Sequence, residues 1–185
     1  LEMRFKPMPR FTKGAVVPSR AGNPRQSPVG RLFIQPRVRT LDGRIQRMDD
    51  VIGPNFAIIS WGNNPVRYME PEQVAMWRAL GAVFVSIRPD VQLGSRPDAT
   101  LGFKADTLDG VIEVGDAQGR LKDWFGNWPE PVVFLRPDRV VAATSTPLNV
   151  NEVSRAVARV LAWTGQTATA STRASSSLTL NGFTT

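Results

Sequence analysis

Neither cysteine nor histidine occurs among the 185 residues. That removes the thiolate nucleophile, disulfide exchange, the commonest general base and the commonest metal ligand from what the chain can do by itself. Only carboxylates are left to hold a metal, which disfavours zinc and leaves weak hard-cation sites at most. The remaining groups with chemical potential are cationic and aromatic. Arg136-Pro-Asp-Arg139 sets two guanidinium groups beside one carboxylate, which could grip an acidic ligand or close a salt-bridged turn. Trp124, Phe125 and Trp128 could make an exposed docking patch or, at helical spacing, the face of a core helix. Trp61-Gly-Asn-Asn-Pro65 is a binding loop or a polar turn entering a helix. For these three we expect the structural reading: turn, core and helix entry. A basic, proline-rich lead over residues 4–39 could lie against an acidic neighbour or act as a tether, and both stay open.

Charge placement narrows the partners. Residues 1–50 carry 11 Lys/Arg against 4 Asp/Glu, whereas residues 51–185 carry 12 of each, so the whole net charge of +7 sits in the leading segment. A basic lead can touch phosphates. Interleaved with Pro and Gly, it reads instead as a solvated arm or a surface laid on an acidic domain, and no nucleic-acid partner is expected. No apolar run approaches the roughly 18 residues of a membrane span, and no apolar leader opens the chain. A cytoplasmic protein without a membrane partner is the expectation, which the lack of cysteine also fits. Leu1-Glu-Met-Arg-Phe reads as a cut from a longer polypeptide.

The elements that must position these groups are legible from periodicity. Prolines at 7, 9, 18, 24 and 28 mark residues 1–30 as connector rather than core. Leu32, Ile34 and Val38 alternate with polar residues, Pro36 confines that strand to an edge, and Asp42-Gly43 supplies a hairpin turn. Phe56–Trp61 is a short apolar run and predicts a buried central strand. Glu70-Pro71-Glu72 opens a helix through Val74, Trp77 and Leu80 that stops at Gly81. Strands at 82–87 and 111–114 follow, separated by a long loop over 88–110. A short helix at 120–125 carries Leu121, Trp124 and Phe125 on one face. Pro131-Val-Val-Phe-Leu-Arg-Pro-Asp-Arg-Val-Val-Ala-Ala-Thr144 is two apolar runs around a polar break, hence a hairpin. A last helix, capped by Asn149 or Asn151, carries Val153, Ala156, Val157, Val160 and Leu161 on one face and ends at Gly165.

Strand, strand, helix, strand, helix, hairpin, helix is the order of a thioredoxin-like α/β sandwich, a mixed sheet flanked by helices. Trp61–Pro65 then stands where that fold carries Cys-x-x-Cys, which this chain cannot have. The fold also places a cis-proline before its third core strand, with Pro131 the first candidate and Pro129 the second. The expected division is a connector over 1–30, the domain over 31–164, and a Thr/Ser/Ala-rich tail over 165–185 predicted to be disordered.

Six segments extend this to a family: Arg4-Phe-Lys-Pro-Met-Pro-Arg10, Gly30-Arg-Leu-Phe-Ile-Gln-Pro36, Asp50-Val-Ile-Gly-Pro-Asn-Phe-Ala-Ile-Ile59, Gln73-Val-Ala-Met-Trp-Arg-Ala-Leu-Gly81, Asp116-Ala-Gln-Gly-Arg-Leu-Lys-Asp-Trp-Phe125 and Leu135-Arg-Pro-Asp-Arg-Val-Val-Ala-Ala143. Together they resemble the C-terminal region of FAD-dependent aromatic hydroxylases of the 3-(3-hydroxyphenyl)propionate 3-hydroxylase type. The resemblance implies a longer parent in which an FAD domain and a substrate domain precede this one. Such a parent reduces FAD with NADH and, with O2, places one oxygen atom on a phenolic acid in aromatic catabolism, with a homodimer as one assembly. The flavin supplies the hard chemistry and the protein positions it. No Gly-x-Gly-x-x-Gly follows a strand here, and Asp42-Gly43, Asp109-Gly110 and Gly115-Asp116 are lone turn dipeptides. None of the family's flavin-binding or catalytic residues has a matching position, so the expected catalytic, cofactor and metal residues of this chain are none. The rival expectation is a free-standing, redox-inactive binding module on the same scaffold; an active thiol oxidoreductase is excluded by composition.

Overall fold

The computed structural model describes residues 9–19, 27–94 and 110–161. Its elements run β1 (Arg37–Thr40), β2 (Ile45–Arg47), α1 (Met48–Ile52), β3 (Ala57–Trp61), α2 (Pro71–Ala79), β4 (Val83–Pro89), β5 (Val111–Asp116), α3 (Arg120–Gly126), β6 (Val132–Leu135), β7 (Val141–Ser145) and α4 (Val150–Val160). Seven strands form one mixed sheet in the order β2-β1-β5-β4-β3-β6-β7. β3 runs parallel to β4, with Ala57 beside Val83 and Trp61 beside Ile87, and antiparallel to β6, with Ala57 beside Leu135. It is an interior strand next to the central β4, and both its faces are apolar: Ala57, Ile58 and Ile59 are all buried.

Alternation along the strands sends side chains to two separate layers. On one face Ile59, Val85, Ile87, Val114, Val133 and Leu135 meet Met48 and Ile52 of α1 and Leu121 and Phe125 of α3. On the other, Ile58, Phe84, Val132 and Phe134 meet Val74 and Trp77 of α2 and Val150, Val153 and Val157 of α4. Trp77 is the largest fully buried side chain, and its indole N–H donates to Ser154 Oγ at 2.8 Å, so α2 is tied to α4 by a satisfied polar contact inside an apolar layer. Two layers on a mixed sheet, with a parallel β3-α2-β4 unit, a hairpin and a closing helix, are the predicted thioredoxin-like α/β architecture.

Three expectations need correction. First, every peptide bond among the described residues is trans, including those preceding Pro129 and Pro131. An X–Pro bond is cis only about 5–6% of the time unless its surroundings select it, and a trans Pro131 still gives its carbonyl to the Trp61 N–H at 3.1 Å. Second, the described parts of the proline-rich lead do more than connect. Val16 and Val29 are buried in the first layer, and the Val17 and Gly30 N–H groups donate to Ala142 and Val141 of β7 at 2.7 and 2.8 Å. Proline removes donors from such a segment but not its carbonyls or its few apolar side chains, so it can still close a sheet edge. Third, residues 32–34 are not a strand; Leu32 makes a single bridge to Val140, and the strand begins after Pro36 as β1, which pairs with both β2 and β5 and so is not the edge. α4 ends at Val160 with Leu161 as its C-cap, short of the expected stop at Gly165. Most of the long loop at 88–110 and the tail over 165–185 lie outside the described residues.

Candidate functional site

The end of β3, the start of β6 and the exposed side of α3 enclose an open cleft of about 570 Å³, lined by Trp61, Phe125 and Pro131 together with Lys122, Asp123 and Asn127. Its aromatic wall continues inwards. Trp61 stacks on Phe125 with centroids 5.8 Å apart, Phe125 meets Trp124 edge-on at 4.8 Å, and Trp124 meets Phe33 of the lead at 4.8 Å. Phe125 is buried, whereas Trp124 and Trp128 are half-buried. The three aromatics of α3 and the residues after it are therefore mainly core, as expected, and one edge of that core reaches the cleft.

The loop after β3 is built as a helix-entry turn. Gly62 takes φ +80°, a conformation that favours glycine, and its N–H donates to Ile87 O at 2.7 Å. Its carbonyl accepts from Arg88 Nη1 at 2.6 Å. Asn64 is buried, and its Oδ1 accepts from Val66 N at 2.9 Å, capping the short 3₁₀ turn over Pro65–Tyr68. Gly62 and Asn64 are thus bonded to the chain itself, Asn63 is exposed, and none of these residues is a nucleophile.

Arg136-Pro-Asp-Arg139 divides its charges between two jobs. Arg136 pairs with Asp138 inside the turn at 2.5 Å. Arg139 leaves the turn: its Nε donates to Asp49 Oδ1 at 2.7 Å, and its Nη2 donates to Gly53 O at 2.6 Å. Arg139 is also the one described non-glycine residue with positive φ, at 64°. A strained backbone of this kind persists where the surroundings over-determine it, and here the clamp onto α1 does so. The guanidinium pair is structural, as the sequence reading favoured. The acceptor Asp49 was missed, because α1 was not predicted. Met48 and Ile52 four residues apart, with two aspartates between them in a first turn, were the signal.

Sequence reasoning also missed Glu130, a buried carboxylate between two prolines. Its Oε2 accepts from Ser19 Oγ at 2.6 Å and from the Thr144 hydroxyl, so it ties the lead to β7. No local pattern announces a pairing across 111 residues. Asp116, likewise buried, accepts from Lys122 N at 2.8 Å through Oδ2, and its Oδ1 has no partner among the described residues.

The starts of α2 and α3 offer no place for a flavin's pyrophosphate. Holding its pyrophosphate takes free backbone N–H groups at a helix start with no negative charge in the way. At α3 the Asp116 carboxylate already occupies that place. At α2 the first residue is Pro71, which has no N–H, and Gln73 and Val74 donate to Glu70 O. Among the described residues no group of three carboxylates could hold a metal ion, and no helix is long and apolar enough to cross a membrane.

A mixed sheet between two helical layers, with a parallel β3-α2-β4 unit, a hairpin and a closing helix but no cysteine, defines a non-thiol member of the thioredoxin-like class. The profile of the HcaD C-terminal domain matches residues 30–160, and the chain belongs to that family. It is 44% identical over 164 residues to the 3-(3-hydroxy-phenyl)propionate/3-hydroxycinnamic acid hydroxylases of Escherichia coli strain SMS-3-5 / SECEC and of Shigella sonnei strain Ss046. The match covers 89% of this chain but 28% of each of those proteins. Among solved structures it is similar in fold to the flavin-dependent monooxygenase PieE, crystallised with FAD and substrate. There the TM-score is 0.53 at 19% identity, over 84% of this chain and 25% of the other.

Proposed function

We propose that this chain is the C-terminal assembly domain of an FAD- and NADH-dependent monooxygenase that hydroxylates 3-(3-hydroxyphenyl)propionate or a similar phenolic acid in aromatic catabolism. The carrying observation is the proportion of the match: nearly the whole chain aligns with little more than a quarter of hydroxylases that act on such acids. On this reading the FAD and substrate domains are partners within the same cytoplasmic polypeptide, and a homodimer is one form of the assembly. The chain itself holds no catalytic, cofactor or metal residue. The domain occupies 31–164 behind a lead over 1–30 and ahead of a tail over 165–185, a division supported by the family match to 30–160. The ion pairs of Arg39, Arg136, Arg139 and Arg155 within the chain support a structural part in place of a catalytic one.

Gel filtration of the 185-residue chain after incubation with FAD tests the reading, alongside NADH oxidation with the phenolic acid. The expected protein peak is colourless and oxidises no NADH. Flavin absorbance that travels with this chain would overturn the assignment.

A further inference from the structure

In the β1–β2 hairpin Arg37 stands directly opposite Arg47, and Arg39 opposite Ile45. Like charges set opposite each other across antiparallel strands oppose folding, so this register is unfavourable within the chain. Asp90 and Asp42 are already spent, on Arg39 at 3.0 Å and on Arg44 at 2.6 Å. Arg37 and Arg47 are exposed, and their side chains form no hydrogen bond or ion pair among the described residues.

Among the described residues nothing packs over the face that carries them. Val38 points into the first apolar layer, so Arg37, Arg39, Ile45 and Arg47 project to the side of α2 and α4. The apolar layer under those helices takes no residue from β1 or β2. Ile45, Leu41 in the hairpin turn and Val91 beside Asp90 are 47%, 65% and 91% exposed. Cationic forks rising from exposed apolar side chains fit a protein surface of opposite charge. A second copy would bring the same arginines and the same net charge of +7, which argues against self-association here.

The geometry points to the Arg37–Arg47 face as the docking surface for an acidic patch on the preceding domains of the parent polypeptide. This rests on the parent proposed above, in which most of the chain length lies outside these residues.

An arginine-selective dicarbonyl reagent, with modification mapped by peptide mass spectrometry, tests it. In the 185-residue chain Arg37 and Arg47 should react as readily as exposed Arg159 on α4. In the longer flavoprotein both should be protected about tenfold while Arg159 is unchanged. In that flavoprotein Arg37→Glu with Arg47→Glu should speed protease cleavage at the domain junction, and Arg37→Lys with Arg47→Lys should restore most of the resistance. Equal reactivity of Arg37 and Arg47 in the two proteins would overturn the inference. So would protection that grows with concentration of the 185-residue chain alone, which assigns the face to a second copy, or protection that only a nucleic acid confers. Flavin content of the longer protein separates the two proposals: a polypeptide without flavin sinks the parent reading, and a flavin-loaded one with reactive Arg37 sinks only the docking face.

Discussion

The two edges of the sheet are finished in opposite ways. Beyond β7 the lead lies along the edge, where Gly30 N donates to Val141 O, Val141 N to Arg31 O and Val17 N to Ala142 O, with Val16 and Val29 buried behind them. Beyond β1 the sheet ends in a three-residue strand with exposed side chains and two opposed arginines. A free edge invites pairing with other chains, and short strands with charges blunt it. One edge is closed by the chain's own backbone and the other is guarded by charge. The chain therefore keeps one edge for its own stability and leaves the other for encounter.

The largest effect should come from the closed edge. Gly30 takes φ +79°, and a Cβ there would stand 1.9 Å from Phe11 O. Gly30→Ala must therefore push the lead off β7, and we expect a loss of about 2–4 kcal/mol in urea unfolding of the chain. An unchanged midpoint would show that the lead does not stabilise the domain.

Arg139→Ala comes next. It removes the clamp between the β6–β7 turn and α1, strips Asp49 of its cation, and should cost about 2 kcal/mol, since both partners are largely buried. A double-mutant cycle with Asp49→Asn measures the coupling; additive losses would mean that the pair is decoration.

Gly115→Ala probes the side nearer the guarded edge. A Cβ at 115 would meet Asp90 Oδ1 at 2.6 Å, where Gly115 lets the turn approach closely enough for Asp90 to reach Arg39. About 1–2 kcal/mol of destabilisation is expected, and Asp90→Ala in the same background should recover part of it.

At the guarded edge the sign reverses. Arg37→Glu replaces a like-charge pair with an opposite one and should stabilise the isolated chain by a few tenths of a kcal/mol, less at high salt. Destabilisation would contradict the unmatched register.

The smallest effect belongs to Asp42 in the same hairpin. The Thr40 hydroxyl, first, and then the Arg44 amide and guanidinium hold its carboxyl below the ordinary value. A lowered folded pKa means that the contribution is present above the unfolded pKa and is lost as pH falls through the folded one. Thr40→Val should move the Asp42 titration upwards by NMR and remove a small contribution to stability near neutral pH, a difference that closes as pH falls through the folded pKa.

Much of the fold was legible because periodicity is local. Phe56–Trp61, Pro71–Leu80 and the hairpin at 131–144 announce themselves in windows of fewer than a dozen or so residues, and each stands where it was expected. The missed α1 is five residues long, too short for a helical pattern to separate from a turn. The site was legible mainly by exclusion. A chain without thiol or imidazole cannot carry out the chemistry its scaffold is known for, and that needs no coordinates.

The amino-acid order alone determined the succession of elements from β3 to α4 and the lack of thiol and imidazole groups, because residue type and short spacing suffice for these. Only the tertiary structure decided which arginines are spent and which are free. Arg139 finds Asp49 across 90 residues, Glu130 finds Ser19 across 111, and Arg37 is brought opposite Arg47 with no side-chain partner among the described residues. Pairing over such separations is set by how the sheet closes in space, and no local pattern encodes it.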